Sequence, residues 1–289
     1  MYYNHLFIYR HNLYHFEPKL PEQLDKILEF LESQYSLRCD FGCSTYRTLG
    51  RLYGSIAQNY AFCGPDYLQD TESLTLKARK ALGEGSVPEF KDEWMRQLNY
   101  LTYAALDAGR FHKAEETLIR YLEIEEWEDV WPLLPALSPW RHALLARFLA
   151  DTENQERGER YLSWALAERK RLAKPEHPWQ LWLFNLGRIA QQRCDTRTAT
   201  ELYNESLNLC LSEKNGLTVH MMALLPISGL WRLGVVVKTD IKKQEKEVRE
   251  AAGMLNLDHF RMLLDEKDFE KVLEAVWDKP GTLFPFAYR

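Results

Sequence analysis

The stretch LFNLGRIAQQRCDTRTATELYNESL, residues 183–207, decides the fold of this 289-residue chain. It contains two amphipathic runs that are separated by a short polar segment, residues 193–196. A small residue stands at one position of each run, Gly187 in the first and Ala199 in the second, 12 positions apart (199 − 187 = 12). Antiparallel helices approach each other closely where small side chains meet, so the stretch predicts a tightly crossed helix pair.

The same spacing recurs twice upstream, between residues 102 and 114 and between residues 146 and 158. In all three segments a further residue of the repeat pattern lies 7 positions later, at 121, 165 and 206. This recurrence predicts three helix pairs in tandem, with interhelical turns at 107–110 and 193–196. The small residues that would mark the crossings are Thr102, Ala114, Ala146, Gly158, Gly187 and Ala199.

These residues resemble the tetratricopeptide repeat. Asn185-Leu-Gly-Arg-Ile-Ala190 matches the first helix of that repeat, and Ala108-Gly-Arg-Phe-His-Lys-Ala114 resembles its turn and second-helix start. The resemblance implies a right-handed superhelical solenoid of antiparallel helix pairs. The intervals of 44 (102 to 146) and 41 (146 to 187) exceed the family's usual ~34 residues. They are similar to the long repeats of kinesin light chains and of sensor domains in some large bacterial transcriptional activators.

The rest of the chain also follows the helical period, and no run alternates in the manner of a strand, so we expect an all-α protein. Helices are predicted over 20–35 and 45–62, and then from a cap at Asp66 to about Leu82. A short amphipathic helix is predicted from Phe269 to Trp277. We expect N-terminal helices over 1–44 that form an incomplete repeat, repeats over 45–252, and capping helices with an apolar tail over 253–289.

Composition narrows the function classes. The net charge is −5 (37 − 42), which argues against direct nucleic-acid binding. The N-terminus lacks the features of a secretory signal, and the most apolar window, residues 221–237, is short and contains Arg232, so no membrane contact is expected. Five cysteines without a disulfide-framework spacing favour a reducing, cytoplasmic location.

No motif of a known catalytic site is present, so we expect no enzyme activity, no cofactor and no metal. His11 and His15, four positions apart, have the spacing of metal ligands on a helix, but half-exposed histidines are the favoured interpretation. Cys39 and Cys43 lack the second pair of a zinc site. The acidic run from Glu125 to Asp129 is interpreted as a connector between repeats.

The resemblance also implies that the first helix of each pair lines a concave surface. Arg147 and Arg188 would then lie on neighbouring repeats, where two guanidiniums bind carboxylates well. Pairing of both arginines with internal acids or water is the equally favoured alternative. The candidate groove residues are Arg51, Ser55, Gln58, Asn99, Tyr103, Arg147, Asn185, Arg188 and Gln192.

The leading hypothesis is therefore a non-enzymatic scaffold that binds a peptide or partner protein, with acidic or C-terminal carboxylate groups, in the concave face. The alternative is a sensor domain of a larger signalling or transcriptional regulator that binds a small effector or a partner domain. A homodimer through the terminal repeats is left open by both hypotheses.

Overall fold

A computed structural model describes residues 26, 29, 30, 33, 43–63, 65–82, 91–172, 178–211, 222–235 and 269–278. Within these ranges the chain forms eleven α-helices with short 3-10 turns and contains no strand, which confirms the all-α prediction. Backbone contacts divide the chain into two compact units, Met1–Tyr121 and Leu122–Arg289, here called the N-terminal and C-terminal units. Each is described by itself.

Four helices are described in full in the N-terminal unit, the last of which runs one residue past the unit's end. They are α1 (Cys43–Cys63), α2 (Leu68–Ala81), α3 (Lys91–Asp107) and α4 (Phe111–Leu122). Helix α1 packs against both α2 and α3. The close approach of α1 and α3 depends on Gly54, because a Cβ atom there would overlap the side-chain amide of Gln97.

The start of α2 differs from the prediction. Residues Pro65–Tyr67 form a 3-10 turn, and α2 begins after it with Tyr67 at the N-cap and no side-chain capping hydrogen bond. The prediction that Asp66 caps this helix is therefore wrong, because the 3-10 turn moves the helix start beyond it. The predicted helix over 45–62 is confirmed by α1.

The α3–α4 crossing uses two hydroxyl groups. The side chains of Thr102 on α3 and Thr117 on α4 are buried, and their oxygens hydrogen bond at 2.9 Å. The turn between the helices contains Gly109 at φ +65°, a conformation that glycine adopts without strain. The interhelical turn predicted at 107–110 is thus confirmed.

The C-terminal unit contains seven helices in its described residues. They are α5 (Val130–Leu133), α6 (Pro139–Thr152), α7 (Gln155–Leu172), α8 (Trp179–Gln192), α9 (Thr196–Cys210), α10 (Leu224–Arg232) and α11 (Phe269–Asp278). Ser138 caps α6 and Asp195 caps α9, each by accepting a backbone N–H bond. The turn predicted at 193–196 and the helix predicted from Phe269 are both present.

Helix α8 is the centre of this unit, since it packs against α6, α7, α9 and α10. Its Gly187 faces the ring of Tyr203 on α9, and a Cβ atom there would lie 2.6 Å from Tyr203 Cδ1. Gly229 on α10 approaches the same ring from its own helix. Tyr203 is fully buried, and its ring therefore needs a helix backbone without a side chain at both positions. The close packing of α8 and α9 at Gly187 is present, but the side chain nearest to Gly187 is Tyr203 and not the small residue Ala199 that the sequence predicted.

Other predictions fall partly or wholly outside the described residues. In the predicted helix over 20–35, residues 26, 29, 30 and 33 are helical. His11, His15, Cys39 and the apolar tail after residue 278 lie outside the described ranges. The domain boundaries at 44 and 252 remain predictions.

Candidate partner-binding site

The predicted groove residues lie on four helices, two in each unit. Those of the N-terminal unit lie on α1 and α3, and those of the C-terminal unit lie on α6 and α8. On α1 are Arg51, Ser55 and Gln58, on α3 Asn99 and Tyr103, on α6 Arg147, and on α8 Asn185, Arg188 and Gln192.

In the C-terminal unit the two predicted arginines meet at one carboxylate. Arg147 Nε donates to Asp151 Oδ2 along α6, and Arg188 Nη1 on α8 donates to Asp151 Oδ1 at 2.6 Å. The i,i+4 spacing of Arg147 and Asp151 places both side chains on one face of α6. Asp151 therefore joins α6 and α8 through charge-assisted hydrogen bonds.

All three side chains of this cluster are largely withdrawn from water, with exposed fractions of 4% for Arg147, 9% for Asp151 and 11% for Arg188. Burial disfavours the charge of Asp151, but Arg147 and Arg188 outweigh that effect and hold the pKa of its carboxyl below the ordinary value. Asp151 is therefore ionised at neutral pH. The sequence left two alternatives open for these arginines, pairing with an internal acid or binding of a ligand carboxylate. The structure shows both arginines paired with an internal acid.

Arg188 has further neighbours. Its Nη1 lies 3.4 Å from Asn185 Oδ1, and its Cζ lies 5.6 Å from the ring centre of Trp277 on α11 and 6.0 Å from that of Phe184. The Nε atom is buried and has no hydrogen-bond partner among the described residues. Arg188 thus retains a donor beyond its pair with Asp151, next to an aromatic surface that favours a cation.

Gln192 forms a second link between α8 and α6. Its Nε2 donates to the backbone carbonyl of Ala150 at 2.6 Å. That carbonyl lies in the last turn of α6, where carbonyls lack helical partners. Gln192 therefore holds the end of α6 against α8, while the Nδ2 of Asn185 donates to Leu181 O within α8 at 2.9 Å.

The N-terminal unit contains a similar link between α1 and α3. Arg51 on α1 pairs with Glu93 on α3, but the Arg51 side chain is 42% exposed whereas that of Glu93 is 6% exposed. Gln58 on α1 is buried, as are Asn99 and Tyr103 on α3. Asn99 Oδ1 has no hydrogen-bond partner among the described residues.

Three residues of these clusters were not predicted: Glu93, Asp151 and Trp277. Asp151 was detectable, because an acid four residues after Arg147 on a helix is a recognisable ion-pair spacing. Glu93 and Trp277 reach their partners from other helices, and no local pattern marks them.

The C-terminal unit also contains a buried histidine. The His142 ring on α6 stacks on Trp164 at 5.2 Å, and its Nδ1 lies 3.0 Å from the Tyr161 hydroxyl, which also accepts a hydrogen bond from Trp182 Nε1 at 2.9 Å. Burial lowers the pKa of His142 to about 4, although a hydrogen bond with the backbone of Leu134 partly offsets this. The imidazole is therefore neutral at pH 7.

No family model, curated protein or solved structure matches the chain. Across the ranges that the structure describes, no helix has both the length and the apolar character needed to span a bilayer. The tetratricopeptide resemblance, the groove assignment and the choice between a scaffold and a sensor domain remain predictions.

Proposed function

We propose that the chain is a non-enzymatic protein-interaction scaffold. Its antiparallel helix pairs would stack as a tetratricopeptide-like solenoid, and the first helices would bind a peptide or partner protein that carries carboxylate groups. One observation carries this proposal: Arg147 and Arg188, which belong to successive first helices, meet at a single carboxylate.

This cluster supports the proposal in two ways. Helices α6 and α8 bring polar side chains together at one carboxylate, which is compatible with the proposed repeat register. The cluster also provides an example of a carboxylate held between two guanidiniums, which is the contact expected with an acidic or C-terminal peptide group.

The two arginines have different roles in the proposal. Arg147 is enclosed and paired with Asp151 along its own helix, so it positions the cluster. Arg188 is the more exposed of the two, so in this proposal it is the ligand-binding group. Asn185 is buried, and its Oδ1 faces Arg188 Nη1, so it helps to orient that guanidinium.

Fluorescence anisotropy with two labelled peptides tests this function. The peptides share an acidic sequence and differ only in a free or amidated C-terminus. We expect Arg188→Ala to weaken binding of the acidic peptide about tenfold, since a charge-assisted hydrogen bond in a desolvated site contributes roughly 1.5–3 kcal/mol. Arg188→Lys keeps the charge but loses the planar fork, so an intermediate affinity is expected.

Arg197→Ala is the matched control. Arg197 lies on the second helix α9, its side chain is 90% exposed, and it pairs with Glu201 on the same helix. The control should bind the peptide as the parent does. Equal affinities of the parent, Arg188→Ala and Arg197→Ala, each measured well below its own melting temperature, would rule out the proposed binding site.

A further inference from the structure

The connector between α4 and α6 is rich in apolar residues, several of which are exposed or half-buried. Residues 130–137 read VWPLLPAL, and only Val130 and Leu134 of these eight are buried, at 0% and 2% exposure. Those two side chains, four positions apart, anchor the segment in the core. The other apolar side chains form what we call the connector surface: Trp131, Pro132, Leu133, Pro135, Ala136 and Leu137.

The connector surface is held in one conformation by its neighbours. Trp131 Nε1 donates to Glu128 Oε2 at 2.9 Å, and Arg160 of α7 covers the Trp131 ring at 4.2 Å while its Nη1 binds the same carboxylate at 3.0 Å. The preceding 3-10 turn is closed by a capping box between Glu126 and Asp129. A surface ordered before binding loses little conformational entropy when a partner docks.

Acidic residues border this apolar surface. Five of the seven residues from 123 to 129 are carboxylates, and all five are exposed. Glu123 pairs with Arg141 at 2.9 Å and Glu128 pairs with Arg160. Within the described residues, Glu125, Glu126 and Asp129 have no cation at ion-pair distance. The rim of the connector surface therefore has an excess of negative charge.

We propose that the connector surface is a docking site for a partner-protein segment that carries Lys or Arg beside apolar side chains. Apolar contact with Leu133 and the exposed Pro132 and Pro135 would supply most of the affinity, since burial of apolar surface drives association. The uncompensated carboxylates would select a cationic partner and speed its association. This site is separate from the Arg188 site and has the opposite charge preference.

Binding of two synthetic peptides to the full chain tests this inference. The peptides share one amphipathic leucine pattern, with lysine as the charged residue in one and glutamate in the other. The lysine peptide should bind about tenfold more tightly, and added salt should reduce the difference. Leu133→Ser should weaken the lysine peptide about tenfold, and Glu125→Lys should weaken it about threefold. Glu125 is suited to charge reversal because its side chain takes no part in the capping box.

Leu211→Ser is the matched control, because Leu211 is 38% exposed and Leu133 is 37% exposed, and Leu211 lies beyond α9 instead of in the connector. It should leave peptide binding unchanged. Equal binding of both peptides, or an equal effect of Leu133→Ser and Leu211→Ser, overturns the inference. Sedimentation equilibrium tests whether the connector surface instead joins two copies of the chain. If Leu133→Ser converts a dimer to a monomer without changing peptide binding, the proposal fails.

Discussion

Each unit links two of its helices by the same chemistry, but the two links have different access to water. In the N-terminal unit Arg51 of α1 pairs with Glu93 of α3, and the arginine side chain is 42% exposed. In the C-terminal unit Asp151 of α6 binds Arg188 of α8 as well as Arg147, and none of the three side chains is more than 11% exposed. Each link pairs arginine with a carboxylate on another helix of the same unit.

The difference in exposure changes what each link contributes. An exposed guanidinium that loses its partner regains water, so surface ion pairs contribute roughly 0–1 kcal/mol. A buried guanidinium that loses its partner remains an uncompensated charge in a poorly solvated site. The same residue types therefore form a replaceable contact in one unit and a structural requirement in the other.

The largest expected effect separates these two links directly. Asp151→Asn should lower the free energy of unfolding by about 4 kcal/mol, because both buried arginines lose a charged partner. Glu93→Gln, the matched substitution in the N-terminal unit, should cost about 1 kcal/mol since Arg51 can turn to solvent. Urea unfolding of both variants measures the difference, and equal losses would show that burial does not distinguish the two links.

The direction in which the pKa of Asp151 is shifted decides at which pH the urea unfolding should be measured. The folded-state pKa of Asp151 lies below its ordinary value of 3.8. The stability that its charge contributes is therefore present above that value and is lost as the pH falls through the lowered folded-state pKa. Unfolding near pH 7 reports the full effect.

A second test uses His142, a buried group of the C-terminal unit whose pKa is about 4 instead of 6.5. Between these values the unfolded chain binds a proton that the folded chain does not, so stability should fall as the pH drops from 6.5 to 4. The loss is about 3 kcal/mol at 1.36 kcal/mol per unit of pKa. His142→Gln should remove that part of the slope in urea unfolding curves.

His112→Gln is the control for this pH series. His112 lies on α4 in the N-terminal unit, and its side chain is 91% exposed. A parent-like slope in the control and a flatter slope in His142→Gln support the assignment to the buried imidazole. The assignment fails if both variants keep the slope of the parent.

The sequence predicted the parts of this structure that depend on near neighbours. The 12-residue interval between small residues reflects two helical segments and a short turn, so Gly187 and the turn at 193–196 could be recognised. Asp66 was misjudged because its predicted role assumed that a helix starts directly after the Gly-Pro pair, whereas a 3-10 turn intervenes. That error also arose locally, from turn geometry that composition does not specify.

Only part of the candidate site could be predicted from the sequence. Asp151 could be recognised from the sequence as an i,i+4 partner of Arg147. That Arg188 shares this partner could not be recognised. Asp151 binds Arg188 across 37 residues, and Trp277 lies 89 residues beyond Arg188 (277 − 188). Such contacts depend on how separate helices pack, which no spacing within one helix determines.

The third test compares the glycine contacts of the two units. Gly187→Ala should destabilise the chain by about 2 kcal/mol, because the new methyl group overlaps the Tyr203 ring, which Gly229 confines on another helix. Gly54→Ala meets the flexible end of Gln97 instead and should cost about 1 kcal/mol. Thermal unfolding of both variants measures the order. A larger loss for Gly54→Ala would show that Tyr203 is not the more rigid obstacle.

The smallest effect concerns the hydroxyl pair of the N-terminal unit. Thr102→Val should cost about 1 kcal/mol, since it removes a buried hydrogen bond at nearly constant volume. The loss is limited because the Thr117 hydroxyl also lies 3.0 Å from Lys113 O and so keeps an acceptor. A double-mutant cycle with Thr117→Val isolates the pair, and Thr102→Ser, which retains the hydroxyl, is the control. A coupling energy near zero in urea unfolding would mean that Thr102 acts at this crossing by its size alone, as Gly187 does in the C-terminal unit.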